Sequence, residues 1–414
     1  ILASGENTLG FDSSSGRDPE DMKVEVRKGK VADISKDVPP GRISGQSLGM
    51  LYLGKEAARV MRRKAEELVA AGREGLPVLE SLPLVEGKLV PPLHDGTLDL
   101  AAFVGVADSA ARIQERLAGA ERLVRSSPGS LLLPQVTRSR QEVLRLLGDA
   151  REKADLASGA AFLIPRVFGS EGERTWLLGA ENTAELRGRG GYIGAFGTVT
   201  ADHGTVELGE FFDATDLPLP VPELPSDQVP EEFQGHYRRI GGLGAWQNLG
   251  MSPHFPSTAR LVLSTIAETK GGTKASGIIS LDPTALSYLL AVTGPVRVDG
   301  IPEELTAGNV VDWTLNRLYF RFSGENEERK EAIAQVARAV WARLVEGSGI
   351  DPGRLAEAFG RAIAERRLVV YSTDPAEQAL IERLGMGGEV DRSEGDYLLV
   401  LGQNMGENKM DYYL

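Results

Sequence analysis

The 414-residue chain contains no cysteine, which excludes structural disulfides, thiolate metal sites and cysteine nucleophiles. Histidine is scarce. His94, His203, His236 and His254 stand apart in the sequence, so neither a sequential metal cluster nor a histidine-centred triad is written into it. No apolar run approaches the roughly 18 to 20 residues a membrane span needs, and no charged-then-apolar leader precedes the first domain. Positive charge is in deficit, with 46 Lys and Arg against 59 Asp and Glu and a formal net charge of −13. Such a field repels nucleic-acid backbones, so a nucleic-acid partner is not expected. The signatures of P-loops, zinc proteases, serine-hydrolase elbows and zinc deaminases are missing.

What is there is ordinary globular usage, 42% hydrophobic and 25% charged residues, which excludes disorder and coiled coil as global descriptions. Residues 1–50 are rich in Gly, Ser, Asp and Pro and read as a loop-rich arm, with a hairpin formed by Lys23–Val26 and Val31–Ile34. From 51 to 165 the apolar period lengthens to that of helices, as in Leu98, Ala101, Ala102 and Val106 and again in Leu117, Ala120, Leu123 and Val124. Prolines 77, 83, 91, 92, 128 and 134 divide this region into antiparallel helices.

Residues 166–414 change character. Strand patterns cover Thr175–Gly179, Tyr192–Val199 and Thr205–Phe212, with an Asp202-His203-Gly204 turn between the last two. A Pro-rich stretch from Pro218 to Pro230 reads as an extended surface loop or lid, expected to be mobile like residues 1–20. Beyond it helix and strand alternate. Helices begin at Ser257, Pro283 and Thr306 and cover Glu325–Val345, Pro352–Glu365 and Pro375–Leu384. Strands cover Gly277–Leu281, Val296–Val298, Leu368–Tyr371 and Tyr397–Leu401. The expectation is an α/β fold with a mixed sheet covered by helices, preceded by the antiparallel helical region.

The Gly-rich stretch 182–197 fails the dinucleotide fingerprint, because Ile193 stands where the third glycine belongs and a strand follows instead of a helix. Arginines near glycines are the remaining chemical signal. Arg187 and Arg189 sit among Gly188, Gly190 and Gly191, where backbone N–H groups and guanidinium forks suit an anion. Arg238 and Arg239 precede Gly241, with Asn248 beyond them, and Arg317, Arg321 and Arg329 flank an acidic turn. The competing reading is a solvated charged face. Glu185, Asp213, Asp216 and Asp282 are the acidic candidates, with Asp213 or Asp216 to act as general base or to hold Mg²⁺, a hard cation that takes oxygen ligands; no other cofactor is implied. Asp282 before Pro283 reads first as a helix cap.

The segments RTWLLGAENTAELRGRGGYIGAFG (174–197), SPHFPSTARL (252–261), GIISLDPTALSYLLAVTGPV (277–296), LTAGNVVDWTLNRLY (305–319) and the ending YLLVLGQNMGENKMDYYL resemble a bacterial envelope family, domain of unknown function 4012. That resemblance implies an exported or anchored protein at the cell envelope or outside the cell. The chain starts at Ile1, and an export signal or anchor is expected outside it. A more distant resemblance is to the LytR-CpsA-Psr phosphotransferases, which move glycopolymers from a polyprenyl pyrophosphate carrier to peptidoglycan. It implies that Arg187 or Arg189, together with Arg317 and Arg329, neutralise pyrophosphate, and in that reading the apolar faces of the 283–293 and 306–318 helices line a slot for the lipid chain. Two departures stand against shared catalysis: glycines replace the Asp after the first Arg, and Phe212–Asp216 lacks the Arg of a Pro-Arg-Asp motif. The sequence thus leaves two readings. One is a non-catalytic surface component binding a glycan or another surface protein. The other is a phosphotransferase-like enzyme acting on a polyprenyl-pyrophosphate-linked glycopolymer.

Overall fold

The computed structural model describes residues 97–414 apart from 126–133, 270–273, 348, 391–394, 397, 407 and 414, and before residue 97 the backbone of seven short strands. The chain divides into two compact units, residues 1–81 with 108–156 and residues 82–107 with 157–414.

In the first unit, β1 (Thr8–Asp12), β2 (Lys23–Arg27), β3 (Lys30–Ser35) and β4 (Gly45–Tyr52) form a sheet in the order β1-β4-β2-β3. β2 and β3 are the hairpin read from the sequence, with Lys23 opposite Ser35 and Arg27 opposite Lys30. Most of the arm 1–20 and residues 53–83, including Pro77 and Pro83, lie outside the described residues.

The helical reading of 51–165 needs correction at its start. Four two-residue strands, β5 (Leu84–Val85), β6 (Lys88–Leu89), β7 (Leu93–His94) and β8 (Thr97–Leu98), precede the first described helix. Leu98 lies on β8, not on a helical stripe, because Thr97 pairs with Thr205 of the main sheet. The helices α1 (Ala101–Arg125) and α2 (Pro134–Val167) follow. Val106, Ala110, Ile113 and Ala120 are buried along α1, the 3.6-residue spacing of one buried face. Gln114 Nε2 donates to Asp155 Oδ1 at 2.5 Å and Arg151 reaches Glu121 at 3.5 Å, so the two helices run antiparallel. Pro165, where the helical pattern ends in the sequence, is passed by α2 within its last turn.

The second unit is built on a seven-stranded sheet. β9 (Arg174–Asn182), β10 (Tyr192–Asp202) and β11 (Thr205–Asp213) form an antiparallel meander. β12 (Gly277–Leu281) returns parallel to β9, and β13 (Leu368–Ser372) pairs antiparallel with β12. The order is β13-β12-β9-β10-β11-β8-β7. Five helices accompany this sheet: α3 (Phe255–Thr269), α4 (Pro283–Thr293), α5 (Asn326–Glu346), α6 (Pro352–Ala364) and α7 (Pro375–Arg383). The expected α/β class with a mixed, helix-covered sheet is what the chain adopts.

One sheet face packs against α3. Leu177, Ile193, Phe196, Ile278 and Val369 meet Phe255, Ala259, Val262 and Ile266 in one closed cluster. The stretch 218–230 is the irregular, largely exposed loop expected from its prolines, and it is fastened to the same cluster. Val221 and Val229 are buried in the cluster, and Trp246 Nε1 donates to the Pro218 carbonyl at 3.1 Å. Three smaller expectations also change. Val296–Val298 supplies one bridge, Val296 to Leu305, in place of a strand. The helix expected from Thr306 starts at Val310 and passes through a π-helical turn, Trp313–Arg317. Residues 398–401 are irregular, with Leu398 86% and Val400 82% exposed, because no strand pairs with them.

Candidate functional site

The Arg-Gly turn between β9 and β10 is a packing element. Arg187 is 3% exposed. Its Nε donates to the Gln247 carbonyl at 3.0 Å and its Nη1 to the carbonyls of Leu186 and Asn404. A Cβ on Gly188 would lie 2.0 Å from the Met251 carbonyl oxygen, and one on Gly191 2.5 Å from that of Asn182. The glycines are there because two stretches of backbone pass at contact distance. Arg189 is buried too, its guanidinium held by the Glu181 carboxylate and its Nη1 donating to the Arg366 carbonyl at 3.0 Å. Burial lowers the Arg189 pKa from the usual arginine range to about 10, the direction expected when a cation loses water. Ser280 Oγ donates to the same Glu181 at 2.5 Å.

The other arginines are dispersed. Arg317 is paired with Asp312 and Glu303 beside Trp313. Arg238 and Arg239 are exposed on a short turn, and Asn248 Nδ2 donates to the Gly241 carbonyl at 3.0 Å. Arg329 lies over the ring of Tyr319, 4.6 Å from its centroid, and donates to Asn326. No convergent arginine clamp forms from this set.

The opposite face of the sheet is where space opens. A cavity of about 850 Å³ lies between that face and the helices α4, α5 and α6 with the end of α2. Trp176, Leu178 and Ala180 of β9, Gly194, Ala195, Val199 and Ala201 of β10, and Ile279 and Leu281 of β12 form its floor. Ile333, Val340, Trp341 and Phe359 belong to its roof. Strand alternation puts these floor residues on one face, and β10 bulges between Ile193 and Ala195, which turns both Gly194 and Ala195 to the hollow. Small side chains there leave volume that the roof does not fill. Leu178, Ile279 and Leu281 are therefore only half-buried in central strands, whereas Ile278, on the α3 face, is fully buried. The volume falls within the range of about 300 to 1,000 Å³ usual for small-molecule sites.

The hollow is polar at one end only. Asn182 closes β9, Tyr192 opens β10 and Asp213 ends β11, so their strand ends share one side of the sheet. Tyr319, Asp216, Glu327 and Lys330 line the cavity as well. Asp213 Oδ1 accepts from Thr215 N at 2.8 Å and Thr215 Oγ1 at 2.7 Å, capping a short turn. Lys330 Nζ donates to Asp216 at 2.7 Å and Glu327 at 3.0 Å. The Asp216 bond raises the Lys330 pKa above the usual lysine value. Burial, helped by the nearby Glu185 charge, holds the Tyr192 phenol far above its ordinary value, so it stays a protonated donor. Asn182 Nδ2 donates to the Tyr319 hydroxyl at 3.2 Å. Among the described residues no three Asp, Glu or His side chains gather as metal ligands.

Of the residues singled out in the sequence, the structure brings Asp213 and Asp216 to this polar end, with Arg329 behind Tyr319. Asp282 caps α4 through Ala285 N at 2.9 Å while also lining the cavity. Lys330, Tyr192, Tyr319 and Asn182 were missed. Nothing in their local spacing marks them, although Tyr192 and Asn182 stand inside the 174–197 segment and Tyr319 ends the 305–319 segment.

Residues 171–319 match a known family. Its description is "Protein of unknown function (DUF4012)", and the matched stretch runs from just before β9 through Tyr319. No curated protein matches the chain. Among solved structures it is similar to the crystal structure of the transcriptional regulator yvhJ from Bacillus subtilis, at 12% identity over 52% of this chain and 77% of that one. The TM-score of 0.26 is too low for that likeness to carry any argument. No helix among the described residues is long and apolar enough to cross a membrane.

Proposed function

We propose that this protein is a non-catalytic binding component of the cell envelope, exported from the cell, whose α/β domain holds the long apolar chain of an amphiphile such as a lipid-linked glycan. The observation that carries the reading is the cavity of about 850 Å³, polar at one end and apolar along the rest. From Tyr192 to Ala201 the floor follows nine strand steps of β10, a length of roughly 30 Å at about 3.3 Å per residue. An apolar slot of this kind gains from removing a hydrocarbon chain from water at about 25 cal/mol per Å². The envelope location and the glycan rest on the sequence resemblance. A second surface protein as partner belongs to the same class of reading.

The phosphotransferase alternative has less support. Its leading arginines, Arg187 and Arg189, already spend their donors on backbone carbonyls and on Glu181, leaving no preorganised clamp for developing phosphate charge.

Native mass spectrometry of the protein purified from its own host tests the proposal. The expected result is a bound long-chain amphiphile that is lost in Ala337→Trp, a change that puts an indole into the cavity while the circular dichroism spectrum is kept. A wild-type protein that carries no such ligand and takes none up from long-chain amphiphiles added in solution would refute it.

A further inference from the structure

The charges around the polar end of the cavity define the class of head group it accepts, an inference that rests on the chain-binding reading above. Six carboxylates line the cavity: Glu181, Asp213, Asp216, Asp282, Glu327 and Glu331. Three are matched by arginines, Glu181 by Arg189, Asp282 by Arg367 and Glu331 by Arg338. Nearby, Glu185 is matched by Lys409. Lys330 is the one cation lining the described cavity wall, and it is shared by Asp216 and Glu327. Asp213 makes no direct ion pair among the described residues. Its hydrogen bonds from Thr215 both fall on Oδ1. The polar end therefore keeps an excess of negative charge, even when Arg329, 4.6 Å from the Tyr319 ring centroid, is counted.

We infer that the ligand's head group is cationic, an ammonium on a long apolar chain, and not a phosphate. A phosphate entering this end would meet Asp213, Asp216 and Glu327 and would have to strip Lys330 from two partners. Asp216 and Glu327 keep 43% and 82% of their side-chain surface exposed, so water screens part of this repulsion, and the remainder still disfavours a phosphate. An ammonium instead completes the balance, with Asp213 as its counter-ion; the Tyr319 ring is already taken by Arg329 and Lys409 at 4.6 and 4.5 Å from its centroid.

The test compares three C16 amphiphiles that share one chain: hexadecylamine, hexadecanol and hexadecyl phosphate. Each is titrated below its micelle-forming concentration into the full chain at pH 7. Ala337→Trp is the control, so that binding outside the cavity is subtracted. The expected order is amine, then alcohol, then phosphate, with at least a tenfold gap between the first and last. Asp213→Asn keeps the acceptor that caps the Thr215 turn but loses the charge, and should shrink that gap several-fold. A phosphate that binds as tightly as the amine, with or without added Mg²⁺, would overturn the head-group assignment and leave the chain-binding reading standing. If none of the three binds in a way that Ala337→Trp abolishes, the chain-binding reading fails, and this inference fails with it.

Discussion

The two faces of the central sheet differ in how completely they are covered. Against α3 the strands present Leu177, Phe196 and Ile278 to Phe255, Ala259 and Val262 in a closed cluster. On the other face Leu178, Ile279 and Leu281 come from the same strands, remain half-buried and border a hollow. Apolar composition is alike on both sides, so hydrophobicity does not distinguish a core from a site here. Whether the covering helices fill the space over the strands is what does. A face left unfilled forgoes dispersion contacts that a close-packed interior would make, and a protein that keeps such a void carries a cost to stability that a bound chain would offset.

Neighbouring residues on β12 give the sharpest test of this comparison. Ile278→Ala opens a void in the filled face and should destabilise by about 2–5 kcal/mol, whereas Ile279→Ala enlarges a void that already exists and should cost at least about 1 kcal/mol less. Denaturant unfolding of both variants without ligand measures the difference. Equal costs would mean the hollow is not open in solution.

Arg187→Ala comes next. It removes donors from three part-buried carbonyls and should lower stability by roughly 1.5–3 kcal/mol, while uptake of a long-chain ligand stays unchanged because Arg187 does not line the cavity. A variant of full stability that lost ligand would move the site back to the arginine turn.

The smallest effect concerns pH. Asp312 accepts from the Tyr412 hydroxyl at 2.7 Å, and that bond, with those from Asn316 and Arg317, lowers its pKa below the ordinary aspartate value. A carboxylate depressed on folding contributes stability that is fully present above its unfolded pKa of about 3.9 and is lost as pH falls through the folded value. Relative to the intrinsic rate, which itself falls on acidification, amide exchange of the Met410–Tyr413 turn should therefore lose protection below about pH 4 in the wild type. In Asp312→Asn that protection should already be lower at neutral pH and change less on acidification.

Much of the second unit was legible because local chemistry and the fold agree there. The His203-Gly204 turn has positive φ at both residues, 46° and 90°, as a tight hairpin needs, and it set the boundary between β10 and β11. Asp351-Pro352 and Asp374-Pro375 start α6 and α7 with the Asp side chain capping each helix. The hollow was legible only in part: an apolar slot is expected along 283–293 and 306–318, and Pro283, Leu286, Leu289, Thr314 and Leu315 do line it, but its floor and the rest of its roof were not legible. Leu178, Ile279, Trp341 and Phe359 have the spacing of any core residue, and the missing volume between them is set by how far apart the layers stand. The meaning of Arg187 was hidden for a similar reason, since its carbonyl partners at 247 and 404 are far away in sequence. Residues 398–401 misled in the other direction: their apolar character reads as a strand, but a strand exists only where a partner supplies the ladder.

The cavity also bears on volume, not only on energy. Unfolding eliminates internal voids, so its volume change is negative and scales with the empty space lost. Whatever part of the hollow of about 850 Å³ solvent does not fill adds to the roughly 20–100 mL/mol by which folded proteins usually shrink on unfolding. Even a fraction of it would make the unliganded protein unusually sensitive to hydrostatic pressure. A chain occupying the hollow would remove that sensitivity without altering a single hydrogen bond of the sheet.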